Sequence, residues 1–562
     1  MTGDAPISHH TRATALERMA AEPVDLLVIG GGITGAGIAR DAALRGFRTA
    51  LVDQGDFGHG TSSRSSRLIH GGLRYLEQFN FGLVFEASHE RRVLLRIAPH
   101  LVRPLRFLFP VYQGGRVPPW KLRAGMWLYD LLSLFRNVHA HSWLSAKAVQ
   151  KAEPGLRGKG LRGAAVYYDA QADDARLVIA TIRSAAEAGA LVANYTKVTS
   201  FAKANGRIDR VVIRDMISDS VRSLRVHTVV NATGPWVDKI RRLDTANAPP
   251  LLKTSKGAHV IVPRARLGLQ HEAVTLLSPL DGRVMFVLPW NDLAYIGTTE
   301  TEEDVTADDV HASGADVTYL LRSANAIFPS ARLGPKDVLA TWAGLRPLLA
   351  PEHDAPAGQV SREHRIVESA DGLITIAGGK LTTHRIMARD VVDLVAERLR
   401  RVDGRAIPPR PATDQHPLPG GEIGDVEVLI DATKAREVPE ATARHLVHSY
   451  GSEAAAVLNL VSKNKVLGRP LVEGRPEIRA EVVHAVEREM AMRLSDVLIR
   501  RLHLFYEDPG HAAKAAPAVA HKMGELLGWN AARQKEEVAE YQDEIARATA
   551  FLKQVRTSGP VS

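Results

Sequence analysis

Two short uninterrupted apolar runs stand near the start of the chain, Leu26-Leu27-Val28-Ile29 and Thr49-Ala50-Leu51-Val52. Runs of this length bounded by turn residues read as buried strands. Gly30-Gly31-Gly32-Ile33-Thr34-Gly35 opens directly after the first run and Asp53 closes the second, which predicts strand, tight turn, helix, strand. From near Phe81 apolar positions recur at helical spacing, among them Val84, Ala87, Val93 and Leu94. Between Pro104 and Arg136 proline, aromatic and arginine residues alternate with short apolar runs, and a packed helix pair covering the first unit is expected there; the same periodicity also suits a membrane contact.

Farther on, a helix around Leu177 to Gly189 precedes strands through Val198, Val211 and Val229, the last ending in Asn231-Ala232-Thr233-Gly234. Alternation in His259-Val260-Ile261-Val262 and Met285-Phe286-Val287-Leu288 predicts an antiparallel sheet over residues 250 to 345. Leu373-Ile374-Thr375-Ile376-Ala377 supplies another strand, followed by a glycine turn and a helix from Thr383 to about Arg400. Helical spacing of Val482, Val486, Met490, Leu494 and Val497 marks the tail.

The expected organisation is therefore a lead-in with a short helix around Leu16 to Ala21 (1–22), a main region (23–405) and a Pro/Gly linker (406–421), then a helical domain (422–562). The main region is a discontinuous nucleotide-binding domain with a substrate domain inserted at roughly 101–160 and 237–345. At 562 residues the chain has room for two or three such units.

Composition narrows the chemistry. With no cysteine, disulfides, thiolate metal sites, cysteine-held clusters and a cysteine nucleophile are excluded, and no metal site is expected. No stretch approaches the roughly 20 apolar residues of a membrane span, and the first residues lack a secretory apolar core, so a cytoplasmic location is expected. The 72 basic against 63 acidic residues give +9, favouring acidic ligands or anionic surfaces. Nucleic acid is not an expected partner, because no basic block, zinc-finger spacing or aromatic array is present.

The glycine turn and Asp53 carry the first chemistry. Glycines let backbone N–H groups approach a pyrophosphate at the start of the next helix, and an acidic residue about 20 positions on accepts ribose hydroxyls. This turn fits NAD or FAD equally; the Ala-Thr-Gly strand end, where small residues allow close approach, favours FAD. Ser65-Ser66-Arg67-Leu68-Ile69-His70-Gly71-Gly72-Leu73-Arg74-Tyr75 adds basic, aromatic and glycine residues in one segment, a place for a cofactor and an anionic substrate to meet.

Taken together these segments resemble the FAD-dependent, quinone-linked glycerol-3-phosphate dehydrogenases, a branch of the superfamily that includes D-amino-acid oxidase. The resemblance rests on the opening turn, Arg67 to Tyr75 with Glu77, Asn231 to Trp236, Lys256-Gly257-Ala258-His259, Gly297-Thr298-Thr299, Gly344-Leu345-Arg346-Pro347-Leu348, and Gly378-Gly379-Lys380-Leu381-Thr382-Thr383. Asp496-Val497-Leu498 and Arg500-Arg501 match the family's C-terminal domain, whereas Asp53 stands where many relatives have Glu.

It implies an α/β fold: a Rossmann-type FAD domain of the D-amino-acid-oxidase kind with an antiparallel substrate sheet, plus a C-terminal helical domain. It further implies oxidation of sn-glycerol 3-phosphate to dihydroxyacetone phosphate by hydride transfer from C2 to FAD, with electrons passed to membrane quinone at an anionic membrane surface; a homodimer is compatible with it. Under this reading Arg74 and Arg346 meet the phosphate, His259 and then His70 are the candidate bases, Tyr75 contacts substrate or packs beside the flavin, and Lys380 supplies positive charge. FAD contacts fall to Gly30, Gly32, Thr34, Gly35, Asp53, Ser66, Leu68, Gly72, Thr233, Gly234, Gly379, Lys380, Leu381 and Thr382. An oxidase using oxygen, an NAD-dependent dehydrogenase and a non-catalytic flavin-containing module that binds membrane or nucleic acid are the competing readings.

Overall fold

A computed structural model describes residues 7–77, 79–134, 137–302, 306–350 and 363–557. The two early apolar runs are adjacent parallel strands, Val24–Ile29 and Thr49–Val52, at the centre of an eight-stranded sheet. Val221–Asn231 and then Leu373–Gly378 continue it in parallel on one side, and Leu191–Ala193 on the other. Each central strand is buried, which is why these segments read as continuous apolar runs rather than alternating ones. Helices Ile33–Leu44, Asp174–Glu187 and His384–Asp403 pack together over this sheet, with Ala36, Ile38, Ala39, Leu177, Val391 and Val395 in one shared core.

A nine-stranded second sheet runs Ala340–Leu349, Leu252–Pro263, Leu293–Gly297, Val284–Trp290, Ala273–Leu277, Val102–Tyr112, Leu161–Ala172, Leu68–Ile69, with Ser142–Leu144 beside Leu161–Ala172. It is antiparallel except where Ala273–Leu277 meets Val102–Tyr112. That last strand corrects the expected helix pair: Val102–Tyr112 is extended, and among the described residues of this segment only Pro119–Leu132 is helical. Phe107-Leu108-Phe109 is too short a run for periodicity to separate strand from helix, and its pairing with Phe107↔Tyr167 and Leu108↔Val166 decides the matter. The first helix is also longer than expected. It spans His9–Ala21 behind a Ser8 cap, buries Leu16 and Met19, and ties Arg12 to Asp215 at 2.5 Å.

The tail is helical, from Val426–Lys434 to Phe551–Thr557, and it is not an appendage. Val482, Val497, Phe505 and Tyr541 share one core with Phe107, Tyr167, Tyr295 and Trp342 of the second sheet. Beside that core the buried carboxylate of Asp56 accepts from Arg500 Nε at 2.6 Å and from Arg501 Nη1 at 2.6 Å, and Glu489 pairs with Arg176 at 2.5 Å. Removing one member of such a set strands buried charge, so Asp56→Ala should destabilise the protein by about 3–5 kcal/mol, read as a lowered thermal unfolding midpoint. An unchanged midpoint would show the set to be dispensable.

Candidate active site

The turn after Val24–Ile29 is folded on its glycines. Gly30 has φ +108°, and a Cβ there would stand 2.6 Å from Ala232 O; a Cβ on Gly35 would stand 1.8 Å from Gly30 O. Gly32, with no side chain to cap the helix Ile33–Leu44, begins it at the wall of a cavity of about 620 Å³. Ser62 Oγ accepts from the Ile33 N–H at 3.0 Å in that first turn. A glycine-lined helix start opening on a large cavity is the geometry that holds a pyrophosphate. Asp53 lines the cavity too, but its carboxylate already braces the turn, accepting from Gly31 N–H at 2.6 Å and Gly55 N–H at 2.9 Å.

Both sheets contribute to the cavity. Of the residues expected from sequence, Gly30, Gly32, Thr34, Asp53, Ser66, Leu68, His70, Tyr75, Thr233, Gly234, His259, Arg346, Gly379, Lys380, Leu381 and Thr382 all line it. Gly35 and Gly72 stand outside the lining; at Gly72, with φ +81°, a Cβ would lie 2.3 Å from the Tyr75 ring, so its absence leaves room for that ring. Lys380 Nζ lies 3.6 Å from the centre of that ring. The side chain of Arg74 lies outside the described residues.

His259 and Arg346 come from adjacent antiparallel strands, Leu252–Pro263 and Ala340–Leu349. The Arg346 guanidinium lies across Gly257, where a Cβ would stand 2.4 Å from Nη2. It donates from Nη2 to Thr298 Oγ1 at 2.8 Å and Thr299 O at 3.1 Å, and from Nη1 to Lys256 O at 3.3 Å. The His259 ring stacks on Trp342, with centres 4.8 Å apart and planes at 16°. Its Nε2 is 2.9 Å from Ser66 Oγ, while its buried Nδ1 has no hydrogen-bond partner among the described residues.

Burial first, and then the positive charges of Arg346 and Arg67, push the His259 pKa down to about 3. The ring is therefore neutral at pH 7. Because its folded value lies below that of an unfolded imidazole, it costs no stability above about pH 6.5 and opposes folding as the pH falls towards 3.

Sequence reasoning missed Ser62, Arg64, Thr196 to Thr199 and Lys239, which also line the cavity, as does Trp236 at the end of the Asn231 to Trp236 segment. Ser62 and Arg64 had a signal, since Thr61-Ser62-Ser63-Arg64 leads into the basic and aromatic segment. Thr196 to Thr199 and Lys239 are brought in by the packing of Thr196–Ala204 and Val237–Asp244.

Comparison with known proteins agrees with this geometry. Residues 25–394 match the FAD dependent oxidoreductase family, and residues 411–534 match the C-terminal domain of alpha-glycerophosphate oxidase. The chain is 38% identical over 540 residues to glycerol-3-phosphate dehydrogenase 2 of Mycobacterium tuberculosis, covering 95% of this chain and 90% of that protein. It is 36% identical over 532 residues to the aerobic glycerol-3-phosphate dehydrogenase of Staphylococcus aureus, covering 93% and 94%. The crystal structure of the Bacillus halodurans glycerol-3-phosphate dehydrogenase complexed with FAD superposes with a TM-score of 0.81 at 31% identity, over 97% of this chain and 99% of that one.

Gly35→Ala should give protein without FAD, because its Cβ cannot fit against Gly30 O and the turn must open. The ratio of flavin to protein absorbance checks this; a normal ratio would mean that the turn is not what holds the cofactor.

Proposed function

We propose, for a chain that belongs to the FAD-dependent glycerol-3-phosphate dehydrogenase family, that it oxidises sn-glycerol 3-phosphate to dihydroxyacetone phosphate and passes the electrons to a membrane quinone. One observation carries the reading: a braced guanidinium, Arg346, stands beside a neutral imidazole, His259, on one wall of the dinucleotide cavity. FAD, when bound, supplies the acceptor for the hydride leaving C2. Gly30, Gly32, Thr34 and Gly35 would hold its pyrophosphate and Asp53 its ribose. Ser66, Leu68, Gly72, Thr233, Gly234, Gly379, Leu381 and Thr382 would line it, with Lys380 bringing positive charge.

Arg346 presents a planar donor fork to the phosphate, and its contacts to Thr298, Thr299 and Lys256 hold it in place before substrate arrives. Arg74, in the turn Leu73–Leu76 next to Tyr75, is the second phosphate donor. His259 accepts the C2 hydroxyl proton, directly or through Ser66 Oγ, with His70 the second candidate. A phosphate dianion on Arg346 offsets one of the two charges that keep His259 unprotonated, so the substrate itself raises the basicity of the ring.

Glycerol 3-phosphate should bleach the flavin anaerobically, and a quinone analogue should restore it much faster than oxygen does. Peroxide formation as fast as quinone turnover would make the protein an oxidase instead. Arg346→Ala should keep FAD and lose roughly ten- to a hundredfold in substrate affinity, with Arg346→Lys recovering part of it. Retention of the full preference for glycerol 3-phosphate over glycerol would remove Arg346 from the phosphate site.

Location at the membrane surface is supported by an apolar face with basic neighbours. Trp120 and Trp127, one heptad apart on Pro119–Leu132, are 72% and 62% exposed. Leu131 on the same helix and Phe79, Phe81 and Phe85 beside it are exposed too, with Arg116 and Lys121 close in sequence. Among the described residues no helix is long and apolar enough to cross a membrane, so attachment would be through this face. Replacing Trp120 and Trp127 together with Ser should weaken sedimentation with anionic vesicles by at least about tenfold while leaving anaerobic flavin reduction intact. Unchanged sedimentation would place the contact elsewhere.

A further inference from the structure

Arg67 stands immediately after Ser66 and is buried, yet it does not point its charge at the cavity. Its guanidinium carbon sits 4.0 Å from the ring centre of Trp290, 5.6 Å from Trp342 and 5.9 Å from Tyr506. Two of these walls belong to the substrate sheet, and the third, Tyr506, comes from the C-terminal helix Leu504–Glu507. The same domain supplies His503. His503 Nε2 lies 2.8 Å from Asp173 Oδ2, and its Nδ1 lies 3.0 Å from Ile499 O and 3.3 Å from Arg67 Nη2. Asp174, 3.7 Å from Arg67 Nε, closes the set and accepts from Ser65 Oγ at 2.7 Å.

The main chain around Arg67 is held just as firmly. Arg67 has φ +52°, a left-handed conformation that a residue with a side chain adopts only where surroundings enforce it. On its N-terminal side, Trp342 Nε1–H donates to Ser65 O at 3.0 Å and the Tyr295 hydroxyl to Ser66 O at 3.1 Å. Trp342 is also the ring on which His259 stacks, and Ser66 carries the hydroxyl 2.9 Å from His259 Nε2. One indole thus touches the guanidinium, the Ser65 carbonyl and the His259 ring.

We propose that Arg67 is a positioning residue through which Tyr506 and His503 of the C-terminal domain hold the Ser66–His259 pair in its reactive orientation. The C-terminal domain then acts on the reaction without touching substrate. A guanidinium suits the task because its flat cation stacks between rings while its edge reaches His503 and Asp174, which an ammonium cannot do at once. The proposal rests on the reading of His259 as the substrate-facing base.

The test uses FAD-loaded full-length protein carrying Tyr506→Leu, Tyr506→Phe or Arg67→Lys. Tyr506→Leu and Arg67→Lys should lower the limiting rate of anaerobic flavin reduction by glycerol 3-phosphate at least about tenfold, leaving half-saturation within about threefold and FAD content unchanged. Tyr506→Phe keeps the ring and should restore the rate. In crystals of the Tyr506→Leu holoenzyme the contact between Ser66 Oγ and His259 Nε2 should open beyond hydrogen-bonding distance. A limiting rate within twofold of the unsubstituted enzyme in flavin-loaded Tyr506→Leu, or rate loss that merely follows loss of FAD, overturns the proposal. If Arg67→Lys fails to fold, the Tyr506 pair decides. If glycerol 3-phosphate fails to bleach even the unsubstituted flavin, the substrate reading falls, and the crystal contact alone decides: retained in Tyr506→Leu, it overturns the positioning role.

Discussion

Guanidinium groups buried between the nucleotide-binding half and the helical tail are the constraint on which the rest of the structure depends. Arg500 and Arg501 enter the interior beside Asp56, three residues beyond Asp53 and next to the loop that carries the glycine turn's brace. A charge taken out of water is tolerable only if paired and fully hydrogen-bonded, so neither partner surface is stable alone. Asp56 meets this demand with Arg500, Arg501 and the Asn194 amide at 3.2 Å, while Asp496 accepts from Tyr195 at 2.6 Å and from Arg500 at 2.5 Å. The tail is committed to one docking position by these pairs and by the apolar core it shares with the substrate sheet.

That docking has an electrostatic effect in the active site. A line of polar contacts continues from Glu489 and Arg176 to Asp173, His503, Arg67 and Asp174. Arg67 is satisfied by its aromatic cage and its carboxylate, yet its field still reaches His259 and adds to that of Arg346. Burial is the larger cause of the lowered imidazole pKa, and the charges of Arg346 and Arg67 add to it. Under the proposed function, a phosphate on Arg346 would be both a recognition element and a change that raises the basicity of His259, and a substrate lacking phosphate would lose affinity and proton transfer together.

The sequence made the nucleotide half legible because each part of it is a local signal. The glycines of the opening turn, the apolar runs on either side and Asp53 all act within about 25 residues, and the motifs around Ser66, His259, Arg346 and Lys380 name residues that line one cavity. Distance in sequence hid the rest. Asp53 was expected at the ribose but also braces Gly31 and Gly55, which only the folded turn reveals. Val102–Tyr112 was expected to be helical because its prolines and aromatics obscure the two-residue period, and its partner strand lies some 60 positions away. Gly72 is expected at the cofactor, and only the fold shows that its missing side chain also makes room for Tyr75. No local pattern in Tyr506 or His503 announces the cage around Arg67, since its walls are assembled from three separated segments.

The exposed aromatic face is tied to the active site by the same kind of buried pairing. Phe81–Ile97 and Pro119–Leu132 turn Phe85, Trp120 and Trp127 outward, but their inner sides bring Arg91 and Tyr129 together on Asp169 of the substrate sheet. Asp169 Oδ1 in turn accepts from Gly71 N–H at 3.1 Å, and a Cβ on Gly71 would stand 2.4 Å from the Tyr129 hydroxyl. The segment from His70 to Tyr75, which brings His70 and Tyr75 to the cavity wall, is thus pinned from behind by the two helices that carry the apolar face. The exposed faces of Trp120 and Trp127 and the cavity wall at His70 and Tyr75 are thus joined through Tyr129, Arg91 and Asp169.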